Sequence, residues 1–271
     1  MGRPPPRLLS LAPHPDDELL GAGGTALALA ARGWRVTVLA CGLGRPEDHR
    51  RRRAELERAC AWVGFALELH RPPLALGAGD DLGSARAALA ATLRARLAEQ
   101  PPALVLAPSP HDAHHAHRTV GLALRDALEA RPGALTVWWW SLWGELEAPT
   151  LVVDVGEVLP ALEAALGAHA GELARGDYAD LPAARSRHAA ITGPERVLGF
   201  GVPQGLARHA ELLAETTWAE GAWRFGAPRV LDPAAPTPAA AATGPPAGWW
   251  LHARSVAQEL AALRRETATP R

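Results

Sequence analysis

The chain has 271 residues, 48% of them hydrophobic, which is enough apolar material for a substantial core. A formal net charge of −1 excludes a broad basic surface for nucleic acid or anionic membrane, and two cysteines, Cys41 and Cys60, exclude a disulfide framework. Apolar runs stop well short of the roughly 20 residues a membrane helix needs, and the apolar part of "MGRPPPRLLSLAP" is too short for a secretory signal, so the expected setting is cytoplasmic.

Along the chain, short apolar runs alternate with longer amphipathic stretches. "RLLSLA" from Arg7 reads as a buried strand, and Leu19 to Ala31 as a helix closed by Gly33. "RVTVLAC" and "ALELH" are the next strands, separated by a helix over Asp48 to Val63 that ends before Gly64. A helix over Ser84 to Glu99 stops at Pro101–Pro102, the strand "ALVLAPS" follows, and His115 to Ala130 forms another helix before the strand "ALTVWWW". Apolar strands alternating with helices predict an α/β fold: a Rossmann-like, mainly parallel sheet flanked by helices. After Thr150 the texture changes. "PTLVVDVGEV" reads as a last strand, Glu157 to Arg175 and "LPAARSRHAAI" as helices, and "AELLAETTWAEGAWRFGAPRVL" as a helix followed by a hairpin turning at "AEGA". This part is expected to form a smaller α+β C-terminal extension. Residues 1–232 are expected to make one domain, and 233–271 a Pro/Ala-rich linker with a terminal helix.

Two polar clusters stand out against this frame. The first, "HPDDE", follows the first strand and holds His14, Asp16, Asp17 and Glu18. Acidic residues there suit a helix N-terminus, but His14 between a strand end and two carboxylates also suits a borderline-soft metal. The turn through Pro15 can aim His14 and Asp17 at one point with Asp16 beside it. The second cluster, "PSPHDAHHAHRTVG", follows the strand "ALVLA". Four of the chain's 11 histidines, His111, His114, His115 and His117, fall within seven residues of it. Helix capping by Asp112 accounts for part of that loop and not for the bunched imidazoles. A parallel sheet brings both loops to the edge where such folds bind ligands. Two imidazoles and one carboxylate with an open fourth position make a catalytic zinc site.

"APHPDDE", before a glycine-rich helix start, and "DAHHAHRTVG" resemble the two signatures of the LmbE/PIG-L family of zinc-dependent N-deacetylases. "RRAELERACAWVG", "VWWWSLWGELEAPTLVVDV", "ALEAALGAHAGELARGDY" and "AELL" are similar to its later landmarks, so the resemblance runs from about Arg7 to Asp232. Position by position it implies that His14, Asp17 and His117 ligate Zn2+, that Asp16 is the general base, and that a protonated His114 is the electrostatic or general-acid partner. It also implies a small-molecule N-acetylated amino sugar, most closely a glucosamine-type glycoside or glycolipid precursor, as substrate. One departure stands out: the family usually carries Asp directly before its last zinc-binding His, and this chain has Ala116 there. Asp112 and His115 are the available substitutes for an orienting group.

Substrate contacts are expected from Arg52, where the resemblance puts a sugar-contacting Arg. A solvated helix face is the competing reading of that residue. Trp138 and Trp140 are expected to offer aromatic faces to a sugar ring, with Trp143 a further candidate and burial in the core the competing fate. "GAGG" at Gly21 to Gly24 reads as close helix packing and not a phosphate loop. No nucleic acid partner and no membrane span are expected, and a homo-oligomer is allowed. Three alternatives remain: an amidase acting on a thiol conjugate or non-sugar amine, a metal-binding homologue of weakened catalysis, and a nucleotide-binding α/β protein whose acids cap helices.

Overall fold

The computed structural model describes residues 4–201 and 207–233. Five strands, β1 (Arg7–Ala12), β2 (Arg35–Gly42), β3 (Ala66–Leu74), β4 (Leu104–Pro108) and β5 (Leu135–Trp140), pair in parallel in the spatial order β3-β2-β1-β4-β5. They stand where their apolar runs predict them. The helices between them are α1 (Asp17–Leu20), α2 (Gly23–Ala30), α3 (His49–Val63), α4 (Leu82–Glu99) and α5 (His115–Glu129). The predicted helix from Leu19 to Ala31 is thus broken in two at Gly21–Ala22. A β-carbon on Gly21 would sit 2.7 Å from the Trp140 ring, so glycine lets the end of α1 pack closely against Trp140 of β5, as "GAGG" suggested.

Side chains alternate across this sheet. Leu9, Leu11, Val105 and Val137 meet Leu89, Leu93, Val120 and Leu124 of α4 and α5 on one face. Leu8, Val38, Leu106 and Trp138 meet Leu29, Leu56 and Leu162 on the other.

The C-terminal part adds β6 (Leu151–Asp154), α6 (Leu159–Leu166), α7 (Ala170–Leu173), α8 (Leu181–Leu198), β7 (Ala210–Ala219), β8 (Ala222–Phe225) and β9 (Arg229–Leu231). Two expectations change here. The helix over Glu157 to Arg175 is two pieces parted at Gly167–His169. "AELLAETTWA" is not a helix but the ten-residue strand β7, antiparallel to β5 on one side and to β6 on the other. Its Ala, Leu and Glu favour helix locally, but pairing on both edges and burial of Leu213, Ala214 and Thr216 override that propensity. The hairpin is as expected: Glu220 and Gly221, both at positive φ, turn β7 into β8. The extension therefore continues the same sheet, in the order β5-β7-β6-β9. The predicted linker and helix from residue 234 onward lie outside the described residues.

Candidate metal centre and active-site cleft

Strand order reverses between β1 and β4, which are parallel neighbours as far as Ser10↔Leu106. Beyond their carboxyl ends the two loops diverge and open the crevice that such a reversal creates. β1 delivers Pro13 to Asp17 there; β4 delivers Ser109 to His117. The second loop is pressed onto its helix: a β-carbon on Gly121 would lie 2.6 Å from the Pro108 carbonyl oxygen and 2.8 Å from the Pro110 nitrogen.

These loops bring the two clusters together. One ligand atom from each of His14, His114 and His117 lies within 4.8 Å of the others. Asp17 sits among them, its Oδ2 3.2 Å from His14 Nδ1 and its Oδ1 3.3 Å from His117 Nε2. A tetrahedral ion held at about 2.0–2.1 Å keeps neighbouring N and O ligands about 3.3 Å apart, so this spacing fits a small divalent cation. His117 makes the fit sharper, because both its ring nitrogens are buried and, among the described residues, neither makes a well-formed hydrogen bond, each facing a carboxylate at 3.3 Å. Burial would lower its pKa, but Asp17 and Asp112 outweigh that and hold it up to about 10. The field that keeps a proton on this ring is one that attracts a cation in the proton's place. Burial pushes the Asp17 carboxyl up, and the His117 and His14 imidazoles overcome it and hold the group well below the carboxylate range.

His114 is different in kind. It caps α5, its Nδ1 accepting the Ala116 N–H at 3.2 Å. A neutral imidazole that accepts at one nitrogen carries its proton on the other, so Nε2 offers a donor and not a metal lone pair. Burial, reinforced by His117, His14 and His115, pulls its pKa down to about 4. The hydrogen bond at Nδ1 and the burial favour a neutral donor over the protonated His114 expected.

Asp16 lies beside the ligand atoms at φ 114°, a backbone region that L side chains rarely adopt. Burial, with Asp17 and Glu18 nearby, raises its pKa well above the ordinary carboxylate value; Arg52 opposes the shift.

Asp112 supplies what Ala116 lacks. It is buried, and its Oδ2 lies 3.3 Å from His117 Nδ1 while accepting from Ser141 Oγ at 2.9 Å and Leu142 N at 2.8 Å. Its Oδ1 accepts the His114 N–H. Burial works against the charge, but His117 and these hydrogen bonds hold its pKa down to about 2. Ala116 itself packs into the apolar layer under α5. His115 stacks on the His114 ring at 4.4 Å and does not reach His117.

The cleft over this centre encloses about 150 Å³. Arg52 lines it, donating to the Pro15 carbonyl at 3.0 Å and lying 3.5 Å from Glu172 Oε1. Trp138 and Trp140 do not line it, which corrects their expected role. Two residues apart on β5, both point into one apolar layer and are fully buried. Trp138 Nε1 bonds Glu215, and Trp140 sets its edge on the His117 ring at 5.2 Å, backing the centre from behind. The exposed aromatic at the cleft is Trp143, with Tyr178 edge-on to it at 6.3 Å. Glu172, Arg175 and Tyr178 complete the rim. They come from α7 and the segment after it, inside the landmark "ALEAALGAHAGELARGDY", which gave none of them a role. A larger cavity, about 590 Å³, lies beyond Leu20 and Leu142 beneath α8 and holds none of these groups.

Fold and site together define an α/β protein with a metal-competent centre at the β1/β4 reversal. Residues 9–128 match the family model described as PIG-L: GlcNAc-PI de-N-acetylase. A 1D-myo-inositol 2-acetamido-2-deoxy-alpha-D-glucopyranoside deacetylase of Saccharopolyspora erythraea is 58% identical over 40 residues, 15% of this chain and 13% of that protein. The alignment therefore spans about an eighth of that relative's length. The fold matches N,N'-diacetylchitobiose deacetylase from Pyrococcus horikoshii with a TM-score of 0.55 at 17% identity, over 77% of this chain and 83% of that one. It matches the 4-carboxy-2-hydroxymuconate hydratase GalB from Pseudomonas putida at 0.55 and 18%, over 78% and 95%. One fold thus carries a deacetylase and a hydratase, so the site must argue the chemistry. Among the described residues no helix is long and apolar enough to cross a membrane.

Proposed function

We propose that the chain is a zinc-dependent hydrolase that removes an N-acetyl or related N-acyl group from a glucosamine-type sugar in a small glycoside or glycolipid precursor, acting in the cytoplasm. What supports this reading is that His14, His114 and His117 bring one ligand atom each within 4.8 Å of the others, that Asp17 lies 3.2 Å from His14 and 3.3 Å from His117, and that Asp16 lines the same cleft. His14, Asp17 and His117 would hold the zinc. When bound, it supplies a Lewis acid for the acyl oxygen and lowers the pKa of a water to about 7.

Asp16, close by and not bonded to the ligands, takes the proton of the attacking water. Its raised pKa lets the carboxyl keep that proton and pass it to the leaving amine. His114 Nε2–H donates to the acyl oxygen as negative charge develops on it. Donors of this type are worth about 3–4 kcal/mol where they have been removed. Arg52, Glu172 and Arg175 place charged hydrogen-bonding groups around the mouth, and Trp143 with Tyr178 places an aromatic wall, a lining suited to a sugar's hydroxyls and apolar ring face. The name of the Saccharopolyspora relative supports an acetamido sugar.

The test is a substrate panel with the zinc-loaded protein: an N-acetylglucosaminyl inositol, N,N'-diacetylchitobiose and an N-acylated thiol conjugate, with acetate and free amine both measured. Equimolar acetate and amine from an acetamido sugar, lost in Asp16→Ala, is the expected result. Cleavage of the thiol conjugate alone would move the activity to that substrate class, and turnover of none would overturn the hydrolase reading.

A further inference from the structure

The Pro15–Asp16 peptide is gripped at both ends. Its carbonyl accepts from Arg52 Nη2 at 3.0 Å, and its N–H donates to Glu18 Oε2 at 2.8 Å. Each gripping side chain is backed from the same short segment. Glu18 Oε1 takes a hydrogen bond from His169 Nε2 at 2.6 Å, with both side chains fully buried, and Arg52 faces Glu172 at 3.5 Å. A carboxylate only accepts, so His169 carries its proton on Nε2; its Nδ1 is buried with no partner among the described residues. The segment itself is pinned to α3, since Gly171 N donates to Glu55 Oε1 at 3.0 Å. Two residues of one segment, His169 and Glu172, thus back the two side chains that hold this peptide plane, His169 from 151 positions beyond Glu18.

That plane sets the φ of Asp16, which stands at 114°. A non-glycine residue keeps such a conformation only where its surroundings over-determine it. We infer that Glu18 and His169 are a positioning pair for Asp16: they hold the Pro15–Asp16 N–H, against Arg52 on the carbonyl, so that the carboxylate of Asp16 is aimed into the cleft beside the ligand atoms and not toward helix α1. The inference rests on the reading of Asp16 as the base. It also gives the C-terminal extension a part in the chemistry, because His169 lies outside the segment matched by the family model.

Loss of a supporting group of this kind lowers activity about 10- to 100-fold. Glu18→Ala is expected to show that loss in kcat, with KM and bound metal per chain unchanged. Glu18→Gln keeps an acceptor for the Asp16 N–H and is expected to recover most of kcat. Should Glu18→Ala not fold, His169→Ala removes only the backing donor and is expected to show the same split. A kcat that stays at the parental value, or a loss that Glu18→Gln does not repair, would overturn the inference. So would a loss that follows metal content.

A second arm needs no substrate. Glycine takes φ 114° freely. The thermal destabilisation caused by Glu18→Ala or His169→Ala should therefore shrink in an Asp16→Gly background. Equal destabilisation in both backgrounds would mean that the pair does not hold this peptide. Because this cycle is read from melting alone, an inactive parent would fail the deacetylase reading and leave the clamp to be judged separately.

Discussion

Asp112 stands five residues before His117 and on the far side of its ring from Asp17, so the two carboxylates bracket one imidazole. With His117 Nδ1 facing Asp112, the Nε2 lone pair is left for a metal, the usual division of labour on a ligating histidine. Asp112→Ala should lower metal affinity about 10- to 100-fold while the protein stays folded, measured by competition with a chelator. It should do so although Ala116 is already the family's departure, because the residue that touches His117 is Asp112. The proposed base and a proposed ligand separate in the same assay. Asp16→Ala should retain metal and lose about 10²–10⁴ in turnover, whereas His117→Ala should lose both. The clusters were legible because His and Asp beside apolar strand ends have few other uses. Asp112 was legible as a helix cap and, with His115, as a candidate orienting group, but its partners Ser141 and Leu142 were not, since they lie about thirty residues away. Trp138 and Trp140 were misread because a period of two fixes that they share a face and says nothing of which face is wet.

At the scale of elements, the join between β4 and α5 controls the centre. Gly121 is on the first turns of α5, and its bare Cα rests on the Pro108 carbonyl. A methyl there must push the helix off the loop, and α5 carries His117. Overpacking of this sort costs about 1–3 kcal/mol, so Gly121→Ala should lower the melting temperature and weaken metal binding together. Asp112→Ala, by contrast, should weaken binding with the smaller change in melting. Strands β1, β2, β4 and β5 were readable because buried parallel strands are largely continuous apolar runs, whereas the edge strand β3 runs on past its predicted end at His70 to Leu74. β7 was not, because Ala, Leu and Glu carry a helical signal that only its two flanking strands overrule. α6 and α7 read as one helix because the break at Gly167–His169 is set by His169 turning inward to Glu18, a contact 151 residues away.

Over the whole molecule, the family match and the folding unit do not coincide. The matched segment ends at residue 128, before β5, yet β5 lies in the middle of the sheet, between β4 and β7. Its three tryptophans fill both apolar layers, Trp139 on one side and Trp138 and Trp140 on the other. The rim residues Trp143, Glu172, Arg175 and Tyr178 also come from beyond the match. A chain cut after Ala130 would keep every proposed metal ligand, Asp16 and Asp112. It would nonetheless expose the edge of β4 and the faces of Leu104, Val105 and Leu106, which are now buried. Unpaired apolar edges of this kind aggregate rather than stand alone. Residues 1–130 expressed alone should therefore be insoluble or lack a cooperative melting transition, and should not bind zinc stoichiometrically. A folded, metal-binding fragment of that length would show that the C-terminal strands only widen the sheet, and that the two loops hold their geometry without β5 and Trp140 behind them.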